Sequence, residues 1–499
     1  MKKTKQIVAA SLALAITLFS GISTNVAFAD TNKTTLTPII QDITIAPGKD
    51  SSEINLNWYS SATNDASVVQ VALKSDFNGT DFPTTKAQTF KGSKSQANNN
   101  FFTNKVTATG LKENTSYVYR IGDGTTWSSV YNYNTYKTSR YNFFVTGDPQ
   151  IGASGNINKD TAGWIDTINK ATQKFGDSSF LISVGDQVNN GKEVTNNDNE
   201  TEYVGFFAPQ QFRSLPIAAV PGNHEAVLKG HNTHFNNPNL SNQYGLFSKQ
   251  PTTGSDYYFT YGNVLYLMLN SNNTNSEEHK AFMQSAIAAN PNVKWKVAVL
   301  HHSIYSSATH QTDADIVSRR NTLPQIFDSL GIDVVLDGHD HAYTRTYQMK
   351  GNEAQTNQTI DPKRNVINPT GTLYITENSA SGSKYYELLS PNKNYFEAFK
   401  DQSHVPTFSR VSIDDNNFSI TTYRTDSMLA IDSYTIVKNN QSLSADNTLK
   451  TNVITTSTSV QNVDSKLPTT GDSIDLKTIL GISFILITVG GGFIILRKK

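Results

Sequence analysis

Five short apolar runs between residues 141 and 341 each end abruptly on a polar cluster: YNFFVTGDPQ, SSFLISVGDQVN, PIAAVPGNHE, VKWKVAVLHHS and GIDVVLDGHDH. Each run is continuously apolar and rich in β-branched or aromatic residues, the pattern of a strand buried on both faces. Strands of that kind need a layer above and a layer below. Helix-period segments between them supply it. One places Trp164, Ile165, Ile168, Ala171 and Phe175 on one side, and NTLPQIFDSL places Leu323, Ile326, Phe327 and Leu330 on another. The spacing predicts an α/β layered domain over residues 140–438. Its polar clusters gather where strands meet their C-terminal loops, the usual ligand-binding edge of such sheets.

The content of the clusters narrows the chemistry. Five of the ten histidines lie in them, together with Asp148, Asp186, Asn223 and Asp340. The chain has no cysteine, so neither a disulfide scaffold nor a thiolate site is available, and any metal must sit on His, carboxylate or amide groups. Convergence on a hard or borderline divalent metal is the economical reading. Basic and acidic residues balance at 42 each, which argues against a nucleic-acid binder dominated by phosphate contacts.

The flanking segments read differently. Residues 36–138 carry short, partly alternating runs (SEINLNWYS, VVQVALK, NKVTATGL, TSYVYRIGDG) separated by Gly, Asn and Ser turns, which predicts an all-β module. TATGLKENTSYVYRIGDGTTWSSVYNYNT resembles the closing strands of a fibronectin type III-like sandwich, a spacer or packing partner with no chemistry expected of it. Residues 1–29 have a lysine-rich start, an apolar run and Ala27-Phe28-Ala29, the form of a secretory signal peptide cut before Asp30. Residues 439–466 are polar and read as a flexible stalk. Within residues 467–499, an apolar stretch from about Thr478 to Leu496 is just long enough to span a bilayer and is followed by Arg497, Lys498 and Lys499. Leu467-Pro468-Thr469-Thr470-Gly471 ahead of it resembles the LPxTG sorting signal of Gram-positive surface proteins. That resemblance implies sortase cleavage between Thr470 and Gly471 and covalent attachment to cell-wall peptidoglycan. The expected partners are therefore sortase and the wall, with a membrane only before processing.

The five blocks in order, Gly147-Asp148, Gly185-Asp186, Gly222-Asn223-His224-Glu225, His301 and Gly338-His339-Asp340-His341, resemble the calcineurin-like metallophosphoesterases. With the N-terminal sandwich they most resemble the purple acid phosphatase group, over residues 36–438. The fold implied is a layered metallophosphoesterase β-sandwich flanked by helices, preceded by the all-β module. The site implied is dinuclear, with two divalent ions (manganese, iron or zinc). Asp186 would bridge, Asp148 and His341 would hold the first ion, and Asn223, His301 and His339 the second. An anion between two cations about 3.5–4 Å apart relieves their repulsion. Hydroxide generated at the pair would attack phosphorus in line, and His224 would act as general acid. Asp340 stays off the ligand set.

Several positions stay open at this point. HHSIYSSATH offers more than one ligand; alignment with an HxPxY-like block favours His301 over His302. His310, nine residues on, matches a position that related enzymes place near substrate phosphate, and is otherwise a surface residue. His302, His310 and Arg345 are the candidate substrate contacts, with a structural ion pair the competing role for Arg345. His231, His234, His279 and His404 are read as surface or loop residues. Asn189 stands where the purple group has its colour-giving tyrosine, and Gln150 where many relatives have a ligating histidine. Gln150 either completes the first ion's shell or caps a loop. The implied function is a wall-anchored phosphomonoesterase acting on a small phosphorylated substrate. A phosphodiesterase or nucleotidase with the same metals, and a surface adhesin on an inactive scaffold, are the competing readings.

Overall fold

The computed structural model describes residues 40–439 apart from 62–65, 99, 190–198, 227–228, 248–253 and 390–392. The expected leader, nearly all of the stalk, the sorting motif with Thr470 and Gly471, and the apolar segment behind it lie outside the described residues. No helix among the described residues is long and apolar enough to cross a membrane.

The N-terminal module is two four-stranded sheets. Strands Ile40–Pro47, Ile54–Ser60, Phe102–Ala108 and Ser93–Gln96 form one; Gln88–Lys91, Val68–Leu73, Ser116–Gly122 and Tyr131–Asn134 form the other. Ile45, Leu56, Trp58, Val69, Val106, Tyr119 and Ile121 fill the space between them.

The larger domain stacks a seven-stranded and an eight-stranded sheet. Alternation within each strand explains why the runs are apolar throughout. In Arg140–Thr146, Tyr141, Phe143 and Val145 enter the core shared by the two sheets, while Phe144 turns outward to Trp164 and Phe408. In Val264–Met268, Val264, Tyr266 and Met268 face inward and Leu265 and Leu267 face outward. The helix Ile157–Lys174 covers the first sheet through Trp164, Ile168 and Ala171. Helices Ser276–Ala289 and Ala314–Leu330 cover the second through Phe282, Met283, Leu323 and Phe327. The last of these starts well before the segment expected from NTLPQIFDSL and carries Pro324 in its interior, with Ile316 extending the buried face.

Strand direction places the site. Ser178–Ser183 lies between Arg140–Thr146 and Ile217–Ala219, parallel to both. In the other sheet Val264–Met268, Trp295–Val299, Val334–Asp337 and Thr372–Thr376 are parallel in that order. All five polar clusters therefore leave strands at their C-terminal ends.

The N-terminal module holds the segment that follows GNHE. The short helix Gly230–His234 docks on the strand pair Ile54–Ser60 and Phe102–Ala108. Asn57 Nδ2 and Thr103 Oγ1 donate to the Thr233 carbonyl at 3.0 and 2.6 Å, and Asn55 Nδ2 donates to Asn236 O at 2.8 Å. His231 and His234, expected at the surface, are fully buried here. His234 stacks on Tyr59 with centroids 4.2 Å apart and sets Nε2 3.1 Å from Glu200 Oε2. His231 packs on Phe235, and burial holds its ring down to about 3. Both corrections have one cause: the docked sandwich covers a helix that would otherwise be exposed.

Lys105 Nζ donates to Asn232 O at 2.6 Å within this seam, and burial pushes the ammonium down to about 8. Between about 8 and its ordinary 10.5 the unfolded lysine holds a proton that the folded one has lost. Stability from this residue therefore rises with pH across that window. Lys105→Met is expected to remove a gain of roughly 1–3 kcal/mol between pH 8 and 10.5, read as the difference in denaturant midpoint between the two proteins.

Candidate metal centre

The Gly that opens four of the five blocks has a spatial reason. A Cβ on Gly222 would lie 2.0 Å from Asp186 Oδ1, one on Gly338 2.5 Å from Asp148 Oδ2, and one on Gly185 2.4 Å from His301 Nδ1. Each glycine makes room for a polar group arriving from a neighbouring strand end. The residues they admit are themselves bent: Asp148, Gln150, Asp186, His339 and His341 have φ of 42°, 38°, 47°, 70° and 46°. A left-handed backbone costs a non-glycine residue about 1–2 kcal/mol, so the surrounding fold must stabilise five such turns in one place. Strain concentrated this way is a mark of a functional site.

Hydrogen bonds at the back fix which nitrogen each ring presents. His301 Nδ1–H donates to Val184 O at 3.0 Å, and His341 Nδ1–H donates to Lys384 O at 3.0 Å. Both rings therefore present Nε2 as a lone pair to the centre. His301 Nε2 lies 2.9 Å from Asn223 Oδ1, 3.3 Å from Asp186 Oδ1 and 3.2 Å from His339 Nδ1. His341 Nε2 lies 3.5 Å from Asp148 Oδ1. Asp186 belongs to both groupings, one with His301 and His339 and one with Asp148 and His341. Such atoms repel at these distances unless a proton or a cation lies among them. Donors about 2.1 Å from an ion and at right angles to each other sit ~3 Å apart, the spacing found here. Gln150 adds to the fit: its side chain is buried and neither amide atom has a hydrogen-bond partner, so it caps no loop. The residues present thus suit a pair of divalent ions. Asp148, Asp186, His341 and Gln150 would surround one; Asp186, Asn223, His301 and His339 would surround the other.

The charges carry the same message. Burial drives the Asp148 carboxyl well above its ordinary value. Burial also opposes charge on Asp186, but His301 outweighs it and holds that carboxylate low. Burial likewise disfavours a charged His301, yet Asp186 and Asp148 push it up to about 9. Without an ion, a proton on His301 takes the place of positive charge among the carboxylates.

Two supports carried no role in the sequence reading. Glu225, the last residue of GNHE, is buried and accepts hydrogen bonds from the backbone N–H groups of Gly222, Asp186 and Val188 at 2.7, 3.1 and 3.0 Å. Burial and the neighbouring Asp186 charge push its carboxyl up to about 8. Ser271 Oγ accepts from the N–H groups of both His301 and His302 at 3.2 Å and lies 2.8 Å from His302 Nδ1. His302 is thus turned to Ser271, while His301 faces the ligand atoms. Asp340 points away, binding Ser306 Oγ and the backbone N–H groups of Ser307, Ala308 and His310. The GNHE glutamate was readable as a pattern; the role of Ser271 carried no signal because its partners lie 30 residues away.

His224 and His310 stand at the rim. His224 N–H donates to Asp186 Oδ1 at 3.1 Å, and its Nδ1–H donates to the Asn189 carbonyl. Its Nε2 remains partly open, 3.9 Å from Asp186 Oδ2. His310 stacks on His339 with centroids 4.0 Å apart and pairs with Asp313. Arg345 is not part of the site. Its Nε and guanidinium NH2 group donate to the two oxygens of Asp432 at 2.5 and 3.1 Å, and it packs over the Tyr434 ring, so it is an ion pair rather than a phosphate contact. His279, expected at the surface, is buried with Nδ1 2.7 Å from Asp256 Oδ2. The Asp256 partner, 23 residues upstream, explains the tolerance of that burial.

Comparison with known proteins agrees with this geometry. Residues 141–343 match the calcineurin-like phosphoesterase family, and residues 40–135 match the purple acid phosphatase N-terminal domain. The chain carries a calcineurin-like phosphoesterase domain. Purple acid phosphatase 15 of Arabidopsis thaliana is 24% identical over 298 residues, covering 54% of this chain and 52% of that protein. Acid phosphatase type 7 of Danio rerio is 23% identical, covering 61% of this chain and 70% of its own. The chain thus spans about half the length of the Arabidopsis relative. The purple acid phosphatase PPD1 from yellow lupin seeds superimposes with a TM-score of 0.61 at 18% identity, over 81% of this chain and 75% of that one. The phosphoesterase domain and the sandwich before it together have the purple acid phosphatase-like fold.

Proposed function

We propose that this chain is a metal-dependent phosphatase that hydrolyses phosphomonoesters. The observation that carries this is the convergence of His301 Nε2, Asn223 Oδ1, Asp186 Oδ1 and His339 Nδ1, with Asp186 shared by a second grouping. Two divalent ions bound there supply Lewis acidity and neutralise charge on phosphoryl oxygens. Asp186 would serve both ions, and Glu225 holds the Asp186 and Gly222 backbones in place for it. His224 is anchored through Nδ1 to the Asn189 carbonyl, so Nε2 is the atom that delivers a proton to the leaving oxygen. Asp186 Oδ2 lies 3.9 Å from that nitrogen. His310, stacked on His339, faces the phosphoryl group from the rim. Neither ion is assigned an identity; manganese, iron(II) and zinc all suit these donors.

In the same reading the enzyme works outside the cell, exported by its leader and joined to the wall at Thr470. The leader, the LPTTG segment and the polar stretch before it support this. Release of the protein from cells by wall-digesting enzyme, and not by detergent, tests it.

Phosphate release from p-nitrophenyl phosphate, its bis ester, nucleotides and phosphoprotein tests the activity under added manganese, zinc or iron. Turnover of monoesters is expected, and no turnover on any substrate would sink the proposal. His224→Ala is expected to cut turnover of alkyl monoesters roughly 10²–10⁴-fold, the usual worth of a general acid, with metal content retained. The loss should be smaller on p-nitrophenyl phosphate, whose leaving group needs little protonation.

A further inference from the structure

The loop between strands Thr372–Thr376 and Glu397–Asp401 is fastened to the Asp148 turn. Ala380 N–H donates to Gly147 O at 2.8 Å, Ser379 Oγ to Asp148 O at 3.1 Å, and both Ser381 Oγ and Ser383 Oγ to Pro149 O. The next residue is Lys384, whose carbonyl orients His341. Its ammonium lies 4.5 Å from the centre of the Tyr386 ring. That ring in turn meets His341 and His310 edge-on, at 5.2 and 5.0 Å between centroids. Gln402 Nε2 holds the Tyr386 carbonyl at 2.7 Å, so the aromatic ring is fixed as well. Among the described residues Lys384 has no carboxylate partner, and its ammonium rests on the Tyr386 ring.

An unpaired cation held against this centre needs an explanation. With Asp148 and Asp186 ionised and two divalent ions in place, the first shell already carries net positive charge. A further ammonium on the same side raises it, which is unfavourable unless the site is built to receive an anion. The added attraction grows with the anion's charge, so it favours a dianion over a monoanion. A phosphomonoester is a dianion near neutral pH and a phosphodiester is a monoanion.

We propose that Lys384, held in place by Tyr386, binds the phosphoryl group and biases the site toward monoesters over diesters. This rests on the phosphatase reading and names its selectivity. Tyr386 is a positioning residue in it, and Lys384 meets the substrate directly.

Calorimetry of inorganic phosphate binding to the metal-loaded full chain tests the assignment without any turnover. Lys384→Gln is expected to weaken phosphate roughly 10- to 100-fold, the worth of one hydrogen bond to a charged group, with metal content unchanged. Lys384→Arg is expected to recover most of it. KM for p-nitrophenyl phosphate should rise more with Lys384→Gln than KM for the bis ester. Equal phosphate affinity in wild type and Lys384→Gln would overturn the proposal, as would equal shifts for the two esters. Phosphate binding that depends on Lys384 in a protein that hydrolyses nothing would leave this assignment standing and overturn the phosphatase reading instead.

Discussion

Asp186→Asn is expected to empty the centre and reduce phosphate release to background while leaving the fold intact. The substitution keeps the shape of the side chain, so the hydrogen bond from His224 N–H to Oδ1 at 3.1 Å survives. What it removes is the charge shared by the two donor groupings. Two cations held side by side then repel with one fewer anion between them, and neither ion retains its full donor set. In the metal-free protein two effects oppose each other, because the change relieves the crowding of Asp148 but forfeits the His301 charge pairing that holds Asp186 low. The thermal midpoint in chelator should therefore shift little, while the midpoint gained on adding metal should vanish. Metal content after gel filtration, read beside the two midpoints, separates lost binding from lost folding.

Glu225→Gln should do the reverse and damage the fold first. Its two oxygens satisfy three buried backbone N–H groups, at Gly222, Asp186 and Val188. An amide keeps one accepting oxygen and turns an N–H group toward donors that are already there. Each buried donor left without a partner costs about 1–3 kcal/mol, so a loss of roughly 2–5 kcal/mol is expected. It should appear in chelator as well as in metal, the pattern that distinguishes it from Asp186→Asn. Metal affinity should fall too, because Gly222 and Asp186 flank the ligand Asn223 and supply the bridge. A Glu225→Gln protein with an unchanged midpoint in chelator would contradict the support assigned to this residue.

The layered architecture was legible because its strands are apolar on both faces. Tyr141 and Phe143 are committed to one core and Phe144 to another, and no other arrangement satisfies all three. The donor residues were legible because each ends such a strand. The reason for the glycines beside them was not, since the collision of a Gly222 Cβ with Asp186 exists only once two strands 36 residues apart lie in register. Lys384 and Tyr386 sit in a loop without periodicity, and nothing in SGSKYYE announces that its serines fasten to Pro149. The buried histidines were misread for a related reason. His234 is polar in a polar stretch, and only the docking of Tyr59 from the other module buries it. Arg345 lies four residues beyond His341 on a strand, yet the pleat sends it to Asp432 rather than to the centre.

These donors are expected to form one catalytic pair of metal sites. Titrating metal-free protein with manganese or zinc, while following bound metal and phosphate release in the same samples, tests it most directly. Activity should stay at background through the first equivalent, rise with the second and level off at two ions per chain, with Asp186→Asn flat throughout. Full hydrolysis in excess chelator, or a protein that binds no metal at any concentration, would contradict it.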